Sequence, residues 1–371
     1  ARGYAPLPLR LPRPVPDSIA VGAHLKNAVA VARGDRVFLG PHIGDLETDE
    51  SREAFRRSIR ALSDLHEIRP ALVACDLHPD YFSTRHAESL GPPVTRVQHH
   101  HAHVLACRAE NDLAGTVLGV SWDGTGYGPD RTVWGGEFLL VGEAGFRRAA
   151  SLRPFRLPGG EAAVREPRRS ALGVLFEILG AGALDRDDLH PIRAFSKEER
   201  AVLRGMLLKE IRSPVTTSAG RLFDAVSSLA GLRQVMVFEG QAAMELEFAI
   251  PDGACEEEYP FRLDVRGDRL LVDWEPIVRA ILDDAAAGED AGRIAARFHN
   301  ALASSIAAVA GEVGEKRVLL TGGCWQNDYL LKRTVGVLRA GGFHPYWHQR
   351  IPPNDGGIAV GQAAALAERP R

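Results

Sequence analysis

The segment VTRVQHHHAHVLACRAEN spans residues 94–111 and places four of the chain's thirteen histidines within five positions. Its first five residues are typical of a strand and its last eight of a helix. If the helix begins near His99, then His99 and His103 lie four residues apart on one face. Two imidazoles at this spacing can bind a single metal ion. The segment thus predicts a metal or catalytic site; an ordinary basic start of a helix is the alternative.

Outward from this segment, strands alternate with helices, which favours the α/β class. Residues 18–23, 28–32 and 36–40 predict a meander of three short strands with a turn at residues 33–35. Residues 117–122 and 132–140 predict a second hairpin with the same layout. Each pairs an apolar strand with a glycine-bearing turn and a charged residue, Lys26 or Asp123. The repeat predicts two similar lobes facing each other across a cleft, although hairpins also recur by chance.

The chain is long enough for two such lobes. It has 371 residues and a formal net charge of -3, so its charge demands neither nucleic acid nor an anionic membrane as a partner. Four cysteines without a CxxC pair indicate neither a zinc ribbon nor a disulfide framework and fit a reducing cytoplasm. No apolar run approaches the roughly 18 residues that span a bilayer. A soluble, cytoplasmic protein is expected.

The domain boundaries follow from the same pattern. Residues 1–16 are rich in proline and arginine and are expected to be a linker or the end of a preceding domain. Residues 17–112 are expected to form lobe I. Residues 113–371 are expected to form lobe II, with helical insertions and a C-terminal helix that packs back on lobe I.

Two glycine-rich stretches suggest contacts with a phosphate. Asp123 ends a predicted strand and is followed by three glycines in five residues, which suits a phosphate loop beside an ion. A plain glycine-rich hairpin turn is the alternative. Gly322 and Gly323 stand between a strand and a helix, where backbone can approach a ligand closely. Without a P-loop lysine this second stretch is a weak signal, and a tight turn explains it equally well.

Two carboxylates near the starts of helices allow two interpretations each. Asp355 and Asp224 could simply cap the helices that follow them. Asp355 could instead complete a set of two histidines and one carboxylate around a metal with an open coordination position. Taken singly, neither residue decides between these interpretations.

Six motifs in chain order carry a family resemblance: HHHAH, DGTGYG, GRLFDA, EGQAAMELE, GGCWQN and PPNDGG. The set closely resembles the C-terminal carbamoyltransferase domain of the HypF family of nickel–iron hydrogenase maturation proteins. That domain is similar to TsaD, which makes threonylcarbamoyladenosine in tRNA, and to antibiotic O-carbamoyltransferases. DLHPDYFSTR (residues 76–85) and PFRLPGGEAAVREP (residues 154–167) resemble HypF rather than TsaD. From about residue 17 onward, the resemblance implies the two-lobed ASKHA fold (actin-like, sugar-kinase-like), with a cleft between duplicated lobes.

The resemblance also implies roles for individual residues. His99, His103 and Asp355 match the ligands of one divalent metal ion, iron or zinc. Asp123 is expected close to the metal and the phosphates, and Asp224 on the ribose hydroxyls. The residues expected to bind the nucleotide, as ATP or the AMP moiety of carbamoyl-adenylate, are Gly124, Thr125, Asp224, Gly240, Gly322, Gly323 and Asn327.

Three residues are expected to take part in catalysis: Asp123, His100 and Lys26. His100 belongs to the histidine motif but is not expected to be a primary metal ligand. Lys26 is our own inference: at the first hairpin turn it could neutralise a phosphate or polarise a carbamoyl oxygen. A lysine in a solvated turn is the alternative. Cys107 and Cys324 are expected to be buried structural thiols, since no internal nucleophile is required.

The implied activity is carbamoyl transfer. The donor would be carbamoyl-adenylate, derived from carbamoyl phosphate and ATP, and the acceptor the C-terminal cysteine thiol of a HypE-like maturation protein, for cyanide ligand synthesis. The upstream domains of full-length HypF, including the one that makes carbamoyl-adenylate, match nothing here, so the donor is expected to form elsewhere. The alternatives are TsaD-type transfer to tRNA, which needs a basic face, and a non-catalytic nucleotide-binding scaffold. Neither a nucleic acid nor a membrane is expected as a partner.

Overall fold

The computed structural model describes residues 7–251, 253 and 256–368. Residues 1–6 of the predicted linker and Cys255 lie outside this part of the chain. The strands are β1 Leu9–Ala20, β2 Ala30–Leu39, β3 Leu72–Asp76, β4 Val94–Val97, β5 Val117–Tyr127, β6 Val133–Gly142, β7 Gly145–Leu152, β8 Phe155–Arg156, β9 Val215–Thr216, β10 Arg262–Arg266, β11 Arg269–Asp273, β12 Arg317–Thr321 and β13 His344–Trp347.

Helices alternate with these strands. The α-helices are α1 Asp49–Leu65, α2 Phe82–Ser89, α3 His99–Glu110, α4 Glu161–Arg165, α5 Pro167–Leu179, α6 His190–Arg193, α7 Lys197–Leu208, α8 Ala219–Leu229, α9 Gln241–Phe248, α10 Glu275–Ala287, α11 Ala291–Val313, α12 Asp328–Ala340 and α13 Ile358–Ala367. Short 3-10 turns cover Gly180–Asp185, Gly323–Gln326 and Asp355–Gly357. Among the described helices, none has the length and apolar character needed to cross a bilayer.

The strands form two sheets that repeat one arrangement. The first sheet has the order β2-β1-β3-β4, and the second contains the order β6-β5-β12-β13. In both, the first two strands are antiparallel and the next two continue in parallel. The second sheet is extended by β7, β11 and β10 and by the short β8 and β9. The predicted α/β, two-lobed ASKHA fold is confirmed.

The first two strands differ from the predicted meander. β2 runs without a break from Ala30 to Leu39, so the turn expected at residues 33–35 is absent. Gly34 has a positive φ of 60° and lies beside a shift in the pairing of β1 with β2, which is how a β-bulge absorbs an extra residue. β1 begins at Leu9, so residues 9–16 belong to the sheet and their prediction as a linker is wrong. Leu9, Leu11 and Val15 are buried along this part of β1.

The glycine-rich stretch after Asp123 is also part of a strand. β5 continues to Tyr127, with an irregular register between Trp122 and Gly126, so the loop expected there is absent. A Cβ at Gly126 would lie 2.4 Å from the His100 ring and 2.8 Å from the His99 ring. The glycine is therefore required where the strand passes the histidines, because any side chain would collide with them.

Helix α3 lies between the two sheets and is buried along almost its whole length. It packs on α13, β5, β6, β12 and β1. The approach to α13 is close, since a Cβ at Gly361 would lie 1.8 Å from the carbonyl oxygen of Ala102. Helix α13 also contacts β1, β2 and β3. The histidine-bearing helix is thus fixed by the packing of both halves of the molecule.

Candidate active site

The first turn of α3 presents two buried imidazoles on one face. Gln98 caps the helix, and its side-chain oxygen accepts a hydrogen bond from the backbone N–H of His101 at 2.8 Å. The helix therefore begins at His99, as the spacing predicts. The rings of His99 and His103 lie 5.0 Å apart between centroids, and both are fully buried.

Two carboxylates complete a group of four converging donors. One ligand atom each from His99, His103, Asp123 and Asp355 lies within 4.8 Å of the others. His103 Nε2 is 2.9 Å from Asp123 Oδ2 and 3.6 Å from Asp355 Oδ1. His99 Nε2 is 3.6 Å from Asp355 Oδ1 and makes no hydrogen bond within the described part of the chain. A buried nitrogen without a partner, among imidazole and carboxylate donors, fits the ligand set of a zinc or iron ion.

Asp355 reaches this group from the loop before α13. Its neighbour Asn354 caps the short 3-10 turn, with Asn354 Oδ1 accepting a hydrogen bond from the N–H of Gly356 at 3.1 Å. Asp355 is therefore not the capping residue, and its carboxylate points at the two histidines.

The histidines and carboxylates of the group each favour the charged form of the other. Burial opposes protonation of His99, yet the carboxylates of Asp355 and Asp76 raise its pKa well above the ordinary range. Burial favours the neutral form of Asp123, but its hydrogen bond from His103 and the nearby His99 hold its pKa well below the usual value. The carboxylates therefore stay ionised, as metal ligands must.

Asp76 is a site residue that the sequence reasoning missed. Its Oδ2 lies 2.8 Å from His99 Nδ1, and both side chains are buried. Because Nδ1 faces Asp76, Nε2 is the nitrogen that faces the other donors and would bind a metal ion in place of its proton. A carboxylate at Nδ1 is the usual support for a metal-binding histidine. Asp76 ends β3 and pairs with Val97 of the parallel strand β4, directly before the histidines. The adjacency of two parallel strand ends was the signal that could have found it.

A cavity of about 380 Å³ opens beside the four donors. Asp123 and Asp355 form part of its wall, and Lys26 and Tyr81 contribute from the first lobe. Six of the predicted nucleotide-binding residues line it: Gly124, Thr125, Asp224, Gly240, Gly323 and Asn327.

Besides the two metal-site histidines, one predicted nucleotide-binding residue and one predicted catalytic residue lie outside the cavity wall. Gly322 has a φ of 100°, and a Cβ there would lie 2.2 Å from the carbonyl oxygen of Trp122, so it serves the turn after β12. His100 is fully buried, with Nδ1 3.1 Å from Gln98 Nε2 and its ring near Trp134. Burial holds the pKa of His100 well below its ordinary value, so its imidazole is neutral.

Asp224 places an unsatisfied carboxylate at the cavity. Neither of its oxygens makes a well-oriented hydrogen bond within the described residues, although Arg221 Nη1 lies 2.9 Å from Oδ2. Burial raises the pKa of Asp224 to about 6, against the opposing charge of Arg221. A buried, unsatisfied acceptor of this kind is the partner that two hydroxyl donors of a ligand would satisfy.

Lys26 crosses from the first lobe to the second. It lies between β1 and β2 with a positive φ of 45°, and its Nζ pairs with the carboxylate of Glu239, just before α9. Burial opposes its charge, but Glu239 raises the pKa of Lys26, so the ammonium persists. Glu239, which lines the cavity, is a further site residue that the sequence reasoning did not single out.

The fold and the site together define the class: this is a two-lobed ASKHA protein with a buried histidine–carboxylate group beside a cavity in its cleft. Two family profiles match the chain: "HypF Kae1-like domain" over residues 13–110 and "Carbamoyltransferase, Kae1-like Domain, second subdomain" over residues 119–362. The chain belongs to the HypF carbamoyltransferase family.

Individual relatives agree. "Carbamoyltransferase HypF" of Synechocystis is 40% identical over 98% of this chain and 49% of that protein. A "Carbamoyltransferase HypF homolog" of Cupriavidus necator is 36% identical over 95% of this chain and 92% of its own length. The crystal structure of full-length HypF in its phosphate- and nucleotide-bound form superposes with a TM-score of 0.91 at 37% identity, covering 99% of this chain and 57% of that one. This chain spans about half the length of most of the curated HypF proteins that it matches.

Proposed function

We propose that this chain transfers a carbamoyl group from carbamoyl-adenylate to the C-terminal cysteine thiol of a HypE-like maturation protein. The proposal rests on one observation: the candidate metal group and the predicted nucleotide-binding residues meet at a single cavity. Ionised carboxylates of the histidine–carboxylate group form one wall, and the predicted nucleotide-binding residues form much of the remainder. The nucleotide- and phosphate-bound state of the HypF relative supports a nucleotide in this cavity.

His99, His103 and Asp355 would hold one divalent metal ion, and Asp123 stands in position to be a fourth ligand. Such an ion, when bound, supplies a Lewis acid that polarises the carbonyl of the carbamoyl group. Imidazole and carboxylate donors suit both iron and zinc, so the donor set leaves both metals as candidates.

The remaining residues bind and orient the donor. Asp224 accepts hydrogen bonds from the ribose hydroxyls, which supply the well-oriented donors that its two oxygens lack among the described residues. Gly124 and Gly323 let the backbone approach the phosphate, because neither position carries a side chain that would fill the cavity. Lys26 neutralises part of the phosphate charge from the opposite lobe.

The transfer itself needs no nucleophile from this chain. The thiolate sulfur of the acceptor forms a bond with the carbamoyl carbon, and the bond from that carbon to the phosphate oxygen breaks, releasing AMP. Cys75 and Cys107 are buried. Cys324 lines the cavity, but burial raises its pKa well above the ordinary value, so it stays a thiol rather than a reactive thiolate.

The proposal is tested by mass spectrometry of the acceptor protein. One reaction contains this chain, the HypE-like protein, carbamoyl phosphate and ATP, and a parallel reaction contains pre-formed carbamoyl-adenylate instead. We expect a carbamoyl adduct on the C-terminal cysteine in the second reaction and none in the first, because the adenylate-forming step is expected to lie elsewhere. An acceptor whose last cysteine is replaced by serine is the matched control.

No adduct in either reaction, with nucleotide still bound, would favour a nucleotide-binding scaffold instead. An adduct in both reactions would support the transfer and contradict the expectation that the donor is made by another protein or domain.

A further inference from the structure

The turn from Asp76 to Tyr81 connects the histidine pair to the cavity. Asp76 uses both carboxylate oxygens: Oδ2 contacts His99 Nδ1 at 2.8 Å, and Oδ1 accepts a hydrogen bond from the N–H of His78 at 2.9 Å. His78 Nδ1 in turn accepts a hydrogen bond from the N–H of Asp80 at 3.1 Å. One buried carboxylate thus fixes the position of His99 and the path of the turn that ends at Tyr81.

The ring of Tyr81 stacks on two imidazoles. His78 stacks on one face with centroids 4.2 Å apart and planes inclined by 3°, and His24 stacks with centroids 5.4 Å apart. His78 is itself held at its edge by Tyr127, at 5.1 Å. Contacts of this kind restrict the ring to one orientation, so the position of its hydroxyl is defined before any ligand binds.

The hydroxyl of Tyr81 is left for a ligand. Tyr81 lines the cavity together with Asp123 and Asp355, and no described residue forms a hydrogen bond with its hydroxyl. Burial, followed by the charge of Asp76, raises the pKa of Tyr81, so the phenol stays neutral and can donate a proton in a hydrogen bond.

We propose that the Tyr81 hydroxyl is a catalytic residue that donates a hydrogen bond to the carbonyl oxygen of the bound carbamoyl group. The inference rests on the proposed function of the cavity. The neighbouring carboxylates can only accept hydrogen bonds, so they suit the carbamoyl NH₂ group. The carbonyl oxygen has two lone pairs and can accept a hydrogen bond from Tyr81 as well as bind a metal ion. Negative charge grows on this oxygen when a thiolate attacks, and a pre-positioned donor stabilises it.

The test is Tyr81→Phe, which removes the hydroxyl and keeps the ring that stacks on the two histidines. A binding measurement compares AMP with a non-hydrolysable analogue in which a sulfamoyl group links the carbamoyl group to adenosine. We expect unchanged AMP affinity and an analogue affinity about three- to tenfold lower, as for one lost hydrogen bond. The rate of transfer from carbamoyl-adenylate should fall about 100-fold or more.

Tyr127→Phe is the matched control, because this ring also contacts His78 but does not line the cavity. It should keep the affinities and the rate of the unaltered protein. Equal analogue affinities of the unaltered protein and Tyr81→Phe, or equal transfer rates, would overturn the inference. If the unaltered protein binds the analogue but transfers nothing, the proposed function fails, and the analogue affinities still decide whether Tyr81 contacts the carbamoyl group.

Discussion

Asp76 shows how one carboxylate can orient a metal-binding histidine without itself contacting the metal ion. It is buried against His99 Nδ1 and fixes which imidazole nitrogen faces the other donors. We expect Asp76→Asn to lower the affinity for zinc about 10- to 100-fold, the usual cost of losing such a support. Competition with a chromogenic chelator measures this affinity.

The matched control is Asp80→Asn, an exposed carboxylate of the same turn that pairs with Arg85. It should bind zinc as the unaltered protein does. Equal zinc affinities for Asp76→Asn and the unaltered protein would show that His99 does not depend on Asp76.

If Asp224 accepts the ribose hydroxyls as proposed, nucleoside binding should depend on pH with a defined sign. Its pKa is raised by burial from the ordinary 3.8 to about 6, and ribose hydroxyls prefer the ionised form as an acceptor. Affinity should therefore rise with pH through about 6, by roughly tenfold between pH 5 and pH 7. Adenosine is the suitable probe, because it has no phosphate that titrates in this range. Titration calorimetry measures adenosine affinity against pH for the unaltered protein and for Asp224→Asn. The affinity of the variant should not change with pH. An affinity that does not change with pH in either protein would contradict the ribose contact.

Individual residues differ in how far the sequence reveals them. The pairing of His99 with His103 could be predicted, because helical periodicity places residues four apart on one face. Helical periodicity could not predict the roles of Asp76 and Glu239, because each contacts its partner only when separate segments of the chain come together. The nearness of Asp355 to the histidines was implied by the family resemblance rather than by any spacing.

Among the elements, α3 supports the site at both of its ends. Glu110, at the C-terminal end, accepts hydrogen bonds from the N–H groups of Gln349 at 2.9 Å and Ile351 at 3.3 Å, and also from the N–H of Arg350. Its other oxygen lies 2.7 Å from His348 Nδ1, and both side chains are nearly inaccessible. The helix that carries the histidines therefore also holds the segment that leads to Asp355.

We expect Glu110→Gln to lower the free energy of unfolding by about 1–3 kcal/mol, since it weakens charge-assisted hydrogen bonds in a buried place. Zinc affinity should fall as well, because the segment before Asp355 loses its anchor. Denaturant unfolding and chelator competition measure the two effects. Glu312→Gln, at an exposed position of α11, is the control. A loss of stability with unchanged zinc affinity would mean that Glu110 supports the fold alone.

The helices were easier to predict than the strands. The sequence predicts helices over residues 50–66 and 219–229 and one that begins near His99. Helices α1, α8 and α3 agree with these to within one residue, because amphipathic periodicity and capping residues mark them. Residues 9–16 of β1 were misjudged on account of Pro12, Pro14 and Pro16. β1 pairs with β3 only from Ser18 onward, so this earlier part has one open edge where proline costs no hydrogen bond.

On the scale of the whole molecule, the pair of Lys26 and Glu239 joins the two lobes at the mouth of the cavity. If Lys26 binds the phosphate of the nucleotide, Glu239 competes with that phosphate for the Lys26 ammonium. Glu239→Gln should then raise AMP affinity by up to about fivefold at low salt, since a half-exposed ion pair is worth at most about 1 kcal/mol. Lys26→Met should weaken AMP binding. Weaker binding in Glu239→Gln would instead make Glu239 a direct contact of the nucleotide.

The doubled topology was predicted from two hairpins of similar layout in the sequence together with the two-lobed fold that the family resemblance implies. The shared strand order, β2-β1-β3-β4 and β6-β5-β12-β13, follows that repeat. The strands β7, β11 and β10 that widen the second sheet follow no such repeat. Their place depends on packing between segments more than one hundred residues apart, such as the parallel pairing of Ala150 with Leu270.

The central claim is that one cavity holds a nucleotide and a metal ion side by side. Anomalous diffraction from crystals grown with zinc and AMP tests it most directly. We expect one zinc peak about 2.0–2.2 Å from His99 Nε2, His103 Nε2 and a carboxylate oxygen of Asp355, with the ribose of AMP on Asp224 in the same cavity. A zinc peak away from these three side chains, or AMP bound outside the cavity, would contradict it.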